Sequence, residues 1–256
     1  MRETKRISKV VRLAVVPRRT QSAPSNLSTM HQLSAVLFDM DGLLVDTEPA
    51  WTIAEVELAR SLGGAFTPEL KTKIVGTRLE VAVPTLLSWY DAPCGPAEVA
   101  STSTWLLGRM VELFTGQIFP MPGVIDLLAN LRSQGVPIAL VSSSYRVLVD
   151  AVLAHGLGPF DVTVAGDEVV RGKPHPEPYM LACNILGVDP GHAVVLEDSP
   201  AGVVSGTSAG CAVVAVPSVS GVHFDSGPGR LVVRSLYEVT VETLRRLVAA
   251  HAGYCC

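Results

Sequence analysis

Short apolar runs and amphipathic segments alternate along most of this chain. The run at 33–38 is apolar enough to form a buried strand of a parallel sheet. Similar runs follow, with segments of helical spacing between them, at 136–141, 162–165, 193–196 and 211–216. Strands joined by helices imply right-handed crossovers. The pattern therefore predicts an α/β fold, a Rossmann-like parallel sheet with helices on both faces.

Residues 49–118 interrupt this alternation. They show helical spacing and almost none of the β-branched runs that are typical of strands. The spacing predicts three helices, marked by Ile53, Val56, Glu57 and Arg60, by Val81, Leu86 and Leu87, and by Trp105, Leu106, Met110, Leu113 and Phe114. We therefore expect an all-helical domain at 49–118, inserted between the two parts of one α/β core domain at 31–48 and 119–250.

The composition is that of a globular protein. Of the 256 residues, 48% are hydrophobic and 17% are charged, which is enough apolar material for a sizeable core. No apolar stretch approaches the roughly 18 residues that cross a bilayer. We therefore expect a soluble protein with no membrane partner.

Charge is distributed unevenly. Residues 1–30 contain seven basic side chains and one acid, and because the whole chain has a formal charge of −4, the rest carries −10. An acidic body of this kind argues against general nucleic-acid binding. The basic start is compatible with a targeting segment, a disordered arm, or an upstream start codon that leaves Met30 as the initiator. We expect a disordered basic arm at 1–30.

Cysteine usage indicates a reducing compartment. The five cysteines have no CxxC or other paired spacing and stand at Cys94, Cys183, Cys211, Cys255 and Cys256. Odd, scattered cysteines of this kind are typical of intracellular proteins, so we expect a cytoplasmic location. No other feature supports an interpretation of the terminal pair as a lipidation site.

Two carboxylates and a glycine follow the first predicted strand directly. Asp39 and Asp41 stand two positions apart, with Gly42 next. Ligand sites of open α/β sheets lie beyond the carboxyl ends of strands. Burying two acids there costs several kcal/mol each unless a cation or a shared proton compensates. Taken alone, the motif is also compatible with an ordinary strand-to-turn loop.

Three more polar clusters follow predicted strands. Serines occupy 142–144, Lys173 lies within 172–176, and Glu197 and Asp198 come directly after the run at 193–196. Each has an ordinary explanation: a helix cap, a solvated lysine, or acids at a helix N-terminus. Together they are more informative, because parallel strands gather their carboxyl ends at one edge of the sheet. Carboxylates, an ammonium and a hydroxyl at one edge match a Mg²⁺ ion and a phosphate group.

The four motifs in order resemble the haloacid dehalogenase superfamily, in particular its phosphatases with a helical cap after the first strand. The resemblance covers residues 33–217. The segments 46–51 and 173–176 are similar to bacterial sugar-phosphate phosphatases of the 2-deoxyglucose-6-phosphatase group. It implies a Mg²⁺-dependent phosphatase that hydrolyses a small phosphate monoester, foremost a sugar phosphate, through an aspartyl-phosphate intermediate.

The resemblance also implies roles for individual residues. Asp39 is the expected nucleophile, Asp41 the general acid and base, and Lys173 the bridge between phosphate and nucleophile. The expected Mg²⁺ ligands are the Asp39 side chain, the Asp41 backbone carbonyl and Asp198, with Glu197 beside them.

Substrate contacts are expected from both parts of the chain. Ser142 and Ser143 follow the second strand and would bind a phosphoryl oxygen. Arg78, within 76–80, matches the cap's specificity loop, although it is equally compatible with an exposed helix arginine. Glu48 and Trp51 lie near the start of the insert and would touch the leaving group, although core packing explains Trp51 nearly as well.

Two other functions stay open at this stage. The β-phosphoglucomutases share the same four motifs and cap, but they have a cap histidine at about the position of Trp51, and its absence here favours hydrolysis. A catalytically silent protein that binds a phosphometabolite is the second alternative. Against it, every catalytic position of the four motifs carries the residue type that the reaction needs. For partners we expect a small phosphorylated metabolite, and for assembly a monomer or a weak homodimer.

Overall fold

The computed structural model describes residues 32–116, 118–218 and 223–253. The predicted basic arm at 1–30 lies outside these ranges, as do Cys255 and Cys256. Within them the chain forms a parallel sheet of six strands in the order β3-β2-β1-β4-β5-β6. The strands are β1 Ala35–Phe38, β2 Ile138–Val141, β3 Val162–Val164, β4 Ala193–Glu197, β5 Ala212–Ala215 and β6 Arg230–Val232.

The order of the strands places β1 at the centre of the sheet. Phe38, its last residue, pairs with Leu140 of β2 on one side and with Leu196 of β4 on the other. From β1 the chain continues outward through β2 and β3 on one side of the sheet and through β4, β5 and β6 on the other. β1 and β4 therefore flank the switch point, where open α/β sheets bind their ligands. The residues that follow β1, β2 and β4 therefore meet at one place on the sheet edge.

Helices cover both faces of the sheet. α5 (Val124–Ser133), α6 (Arg146–Leu153) and α9 (Val241–Ala252) pack on one face, and α7 (Glu177–Leu186) and α8 (Pro200–Ser208) on the other. Alternate residues of β1 join different cores: Val36 and Phe38 face the first set of helices, while Ala35 and Leu37 face the second. The predicted α/β fold class is confirmed.

Four helices and no strand lie between β1 and α5 in the described chain. They are α1 (Glu48–Ser61), α2 (Pro68–Ile74), α3 (Leu79–Trp89) and α4 (Pro96–Phe114). The prediction of three helices is wrong in number because it missed α2. That helix has seven residues and buries only Leu70 and Ile74, which is too little for an apolar period to reveal. The division of the chain into domains stays a prediction.

The buried faces of the insert agree with the predicted ones only in part. Leu86, Leu87, Leu106, Met110 and Phe114 are buried, as predicted. Ile53, Val81 and Trp105 are exposed in the structure, although they marked the predicted helices. The buried face of α1 consists of Ala54, Glu55, Leu58 and Ala59. A charged residue on a buried face is tolerated only with a partner.

No helix of the described ranges has the length and apolar character to cross a membrane.

Candidate active site

Asp39 follows directly after β1, at the switch point of the sheet. Its backbone N–H donates to the carbonyl oxygen of Leu196 in β4 at 3.0 Å, which extends the strand pairing by one residue. The residue is buried. The buried strand on either side therefore fixes the backbone from which the Asp39 carboxylate projects.

Lys173 brings a positive charge to the same place. Its Nζ donates to Asp39 Oδ1 at 2.5 Å, to Glu197 Oε1 at 2.6 Å and to the carbonyl oxygen of Val141 at 2.9 Å. The Tyr179 ring centroid lies 4.9 Å from Nζ and adds a cation–π contact. The side chain is only 3% exposed, so these groups replace water around the ammonium.

The charges at this site are unbalanced. Burial raises the pKa of Asp39 well above its usual value; Lys173 opposes this shift, while the carboxylates of Glu197, Asp198 and Asp41 add to it. Burial alone would lower the pKa of Lys173, but the contacts with Asp39 and Glu197 raise it. Burial is thus the main cause of the shift of Asp39, whereas for Lys173 the neighbouring carboxylates outweigh burial.

Glu197 ends β4 and is completely buried. Oε1 accepts from Lys173 and, at 2.7 Å, from the Tyr179 hydroxyl. Oε2 accepts from the N–H groups of Asp198 and Ser199 at 3.1 and 3.2 Å, and from the Ser199 hydroxyl at 3.0 Å. Both oxygens of Glu197 therefore accept hydrogen bonds, and this carboxylate holds the Lys173 ammonium beside Asp39.

Asp198 lies next to Gly42 of the first motif. Burial and the Glu197 carboxylate raise the pKa of Asp198 to about 7, although the Ser218 hydroxyl, which donates to Asp198 Oδ2, and Lys173 oppose the shift. Gly42 has φ +83°, and a Cβ there would collide with Asp198 Oδ2. Glycine is thus required for the turn and for the approach of Asp198.

Three carboxylates here have the spacing of a metal site. Ligand oxygens of Asp39, Glu197 and Asp198 lie within 4.8 Å of one another. Asp39 Oδ2 and Asp198 Oδ1 accept no hydrogen bond from a described residue, so each offers an oxygen. An all-oxygen set with excess negative charge suits a hard divalent cation. The residues present therefore fit such an ion.

Asp41 is held by hydroxyl groups and lies outside that carboxylate cluster. Thr47 donates to Oδ1 at 2.7 Å, and Ser142 and Ser144 donate to Oδ2 at 3.2 and 2.8 Å. Asp41 lines a cavity of about 610 Å³ that Asp39 and Lys173 also line. The first two predicted catalytic carboxylates thus face the same space with different partners.

Three of the four predicted substrate-binding residues line this cavity. Ser143, Arg78 and Glu48 line the cavity, whereas the hydroxyl of Ser142 is committed to Asp41. Arg78 Nη2 donates to the carbonyl oxygen of Gly166 at 2.9 Å, and Arg78 pairs with Glu80 at 3.3 Å. Its buried Nε has no partner within the described ranges. Arg78 therefore ties the insert to the core, and its role toward a substrate stays a prediction.

Sequence reasoning missed several residues that shape the site. Tyr179, Thr47 and Ser144 contact Glu197 or Asp41 directly. Ser144 belongs to the serine run at 142–144 and Thr47 to the segment 46–51, so the motifs contained both residues without assigning them a role. Nothing in the sequence pattern marks Tyr179, because an aromatic residue at the start of a helix is usually explained by packing in the hydrophobic core.

The chain belongs to the haloacid dehalogenase-like hydrolase family, whose model matches residues 33–210. The match contains all four polar segments of the site, from Asp39 to Asp198. The enzyme class that the fold and site define is therefore a hydrolase of this family.

Three individual proteins show how similar the chain is to known members of the family. The chain is 36% identical over 214 residues to hexitol phosphatase A of Escherichia coli K12, covering 80% of this chain and 92% of that protein. It is 32% identical over 213 residues to the bifunctional riboflavin kinase/FMN phosphatase of Arabidopsis thaliana, covering 82% of this chain but only 55% of that protein. The crystal structure of CbbY from Rhodobacter sphaeroides in complex with phosphate is similar with a TM-score of 0.72 and 29% identity, covering 81% of this chain and 96% of that one.

Proposed function

We propose that this protein is a Mg²⁺-dependent phosphatase that hydrolyses a small phosphate monoester, foremost a sugar phosphate, through an aspartyl-phosphate. The observation that carries the proposal is the contact of Lys173 with both Asp39 and Glu197 beside Asp198 at the edge of one cavity. The relatives named for hexitol and FMN phosphatase activity support a phosphate ester as the substrate.

Asp39 is the proposed nucleophile. Lys173 holds Oδ1, and Oδ2 accepts from no described residue, so the carboxylate is oriented while one oxygen is available to attack phosphorus. Attack forms the Asp39–phosphorus bond and breaks the bond from phosphorus to the ester oxygen. The buried strand pairing of Asp39 restricts the motion of the nucleophile during this step.

Asp41 is the proposed general acid and base. It lines the same cavity, where it would donate a proton to the leaving alcohol and then accept one from the water that hydrolyses the aspartyl-phosphate. Its contacts with Thr47, Ser142 and Ser144 come from hydroxyl groups, which rotate readily and both donate and accept. They can therefore accommodate both protonation states of Asp41.

Lys173 and the serines are proposed to bind the phosphoryl group. One ammonium about 4 Å from a phosphoryl charge contributes roughly 4 kcal/mol at an effective dielectric near 20. Ser143 lines the cavity and would offer a hydrogen bond to a phosphoryl oxygen, and Ser142 would do the same when its hydroxyl turns away from Asp41. Glu197 positions Lys173 through its hydrogen bond at 2.6 Å.

Mg²⁺ is the proposed metal. Asp39, Asp198 and the backbone carbonyl of Asp41 would hold it, with Glu197 beside them. When bound, the ion supplies positive charge that compensates the carboxylates and the phosphate dianion. The helical insert forms the opposite wall of the cavity and would exclude water once a substrate is bound.

A phosphate-release screen tests the proposal. The purified protein is incubated with hexose, hexitol and pentose phosphates, nucleotides and FMN, each with Mg²⁺ and with excess chelator. We expect Mg²⁺-dependent release from at least one ester, and no release by Asp39→Asn, whose side chain is nearly isosteric. Retained turnover in Asp39→Asn would refute the nucleophile, and an inert wild-type protein would favour a catalytically silent binding protein.

The same preparation separates hydrolase from mutase. β-Glucose 1-phosphate is supplied with a trace of glucose 1,6-bisphosphate, and the products are resolved. We expect inorganic phosphate, because Trp51 lines the cavity and offers no basic side chain toward a sugar hydroxyl. Glucose 6-phosphate as the product would instead identify a β-phosphoglucomutase-like enzyme.

A further inference from the structure

A group of three charged side chains lies in the wall of the cavity that the insert provides. Lys71 Nζ, on α2, pairs with Glu55 Oε2 on α1 at 2.7 Å and also with Glu48 Oε1 at the start of α1. All three residues line the same cavity as Asp39 and Lys173. We call Glu48, Glu55 and Lys71 the distal cluster. Its formal charge is −1.

Glu55 has an unused acceptor oxygen. The side chain is only 8% exposed, and Lys71 binds Oε2. Oε1 accepts no hydrogen bond from the described residues, and it is not sealed from the cavity. A carboxylate oxygen that is accessible from the cavity and has no protein donor is available to a ligand that brings one.

Near the distal cluster, the cavity offers little to a second anion. The cationic residues that line the cavity within the described chain are Lys71, Arg78 and Lys173, and each contacts an acceptor. Arg78 Nε, which has no partner among the described residues, lies beside Gly172 and not in the distal cluster. The insert also contributes apolar residues to the cavity lining, among them Ile74, Ala82, Leu86 and Leu106. A carboxylate or phosphate there would lose its hydration without gaining a partner.

Resting on the phosphatase activity proposed above, we propose that the distal cluster selects neutral polyhydroxy leaving groups. Glu55 Oε1 accepts a hydrogen bond from a hydroxyl at the far end of the substrate, while Lys71 keeps the carboxylate in place. Trp51, which also lines the cavity, provides an apolar surface between the two ends. The substrate class is then a monophosphate of a sugar or sugar alcohol without a second anionic group.

Two substrates of equal length test the inference. Glucitol 6-phosphate and gluconate 6-phosphate share a six-carbon chain and differ at carbon 1, which is a hydroxymethyl group in one and a carboxylate in the other. Burial raises the pKa of Glu55, although Lys71 opposes the shift, so the assays are run at about pH 8 to favour the ionised carboxylate. We expect wild-type kcat/KM to favour glucitol 6-phosphate by about tenfold or more, because like charges repel in the buried wall.

Three variants locate the effect. Glu55→Gln should lower the ratio of the two kcat/KM values by about tenfold, since it removes the repulsion and keeps the shape. Glu48→Gln should lower it less, because that side chain is 52% exposed. Glu69→Gln, an exposed acid of α2 outside the cavity, is the matched control and should leave the ratio unchanged.

The outcomes separate this inference from the proposed function. A purely structural role of Glu55 would lower the activity on both esters alike and leave the ratio unmoved, which overturns the inference. A wild-type ratio near one overturns it too, as does turnover of other esters but of neither of these two. If wild-type protein hydrolyses no phosphate ester at all, the proposed function fails and this inference fails with it.

Discussion

At the scale of single residues, Lys173 joins the carboxyl ends of three strands. It contacts Asp39 after β1, the Val141 carbonyl in β2 and Glu197 in β4. Sequence reasoning could predict that these segments meet, because parallel strands end at one edge. It could not predict that Glu197 uses both oxygens on donors, since side-chain partners such as Tyr179 depend on how a helix packs.

The Tyr179–Glu197 hydrogen bond should be important for stability. Tyr179→Phe keeps the buried ring but removes the donor to Glu197 Oε1 at 2.7 Å. We expect the free energy of unfolding to fall by about 1–3 kcal/mol, because a buried carboxylate loses a partner. Urea denaturation measures the difference. Tyr237→Phe, at an exposed position, should change it by less than about 0.5 kcal/mol; equal effects of the two variants would contradict this account.

At the scale of secondary-structure elements, the apolar runs of the sequence revealed five of the six described strands. β1, β2, β4 and β5 are buried throughout and were predicted within a few residues. β3 is only partly buried but was predicted from its run at 162–165, whereas β6 begins with Arg230 and its apolar run is too short to recognise. Glu55 escaped notice because its burial depends on Lys71 of another helix, which no periodicity along α1 encodes.

Two helical glycines should respond oppositely to alanine. Gly108 lies in α4 with open space beside it, so Gly108→Ala should raise the free energy of unfolding by about 0.5–1 kcal/mol through helix propensity. Gly202 lies in α8 directly against the Glu197 carboxylate, where a Cβ would collide. Gly202→Ala should lower stability by about 1–3 kcal/mol and reduce turnover by displacing Lys173.

Denaturation curves and phosphate-release rates of both variants check this pair of expectations. The Gly108 variant serves as the control for the general effect of alanine in a helix. A stabilising Gly202→Ala substitution with normal activity would show that Glu197 is free to move, contrary to the network described here.

At the scale of the whole molecule, the site depends on segments that are far apart in sequence. Asp39, the serines at 142–144, Lys173 and Asp198 come from four loops of the sheet edge, and the insert supplies the facing wall. Arg78 and Glu80 of the insert contact Gly166 and Tyr145 of the core. The fold class and the edge were predictable from the order of strands and motifs. The facing wall was not, because the packing of four short helices determines which side chains line it.

Trapping the covalent intermediate tests the central claim most directly. Wild-type protein and Asp39→Asn are mixed with Mg²⁺ and the best substrate of the screen, quenched in acid within one turnover, and digested for mass spectrometry. The account predicts one phosphoryl group on Asp39 in the wild-type protein, removed by hydroxylamine as expected of an acyl phosphate, and none in the variant. Turnover with an unmodified Asp39 at every quench time, or a phosphoryl group on another residue, would contradict it.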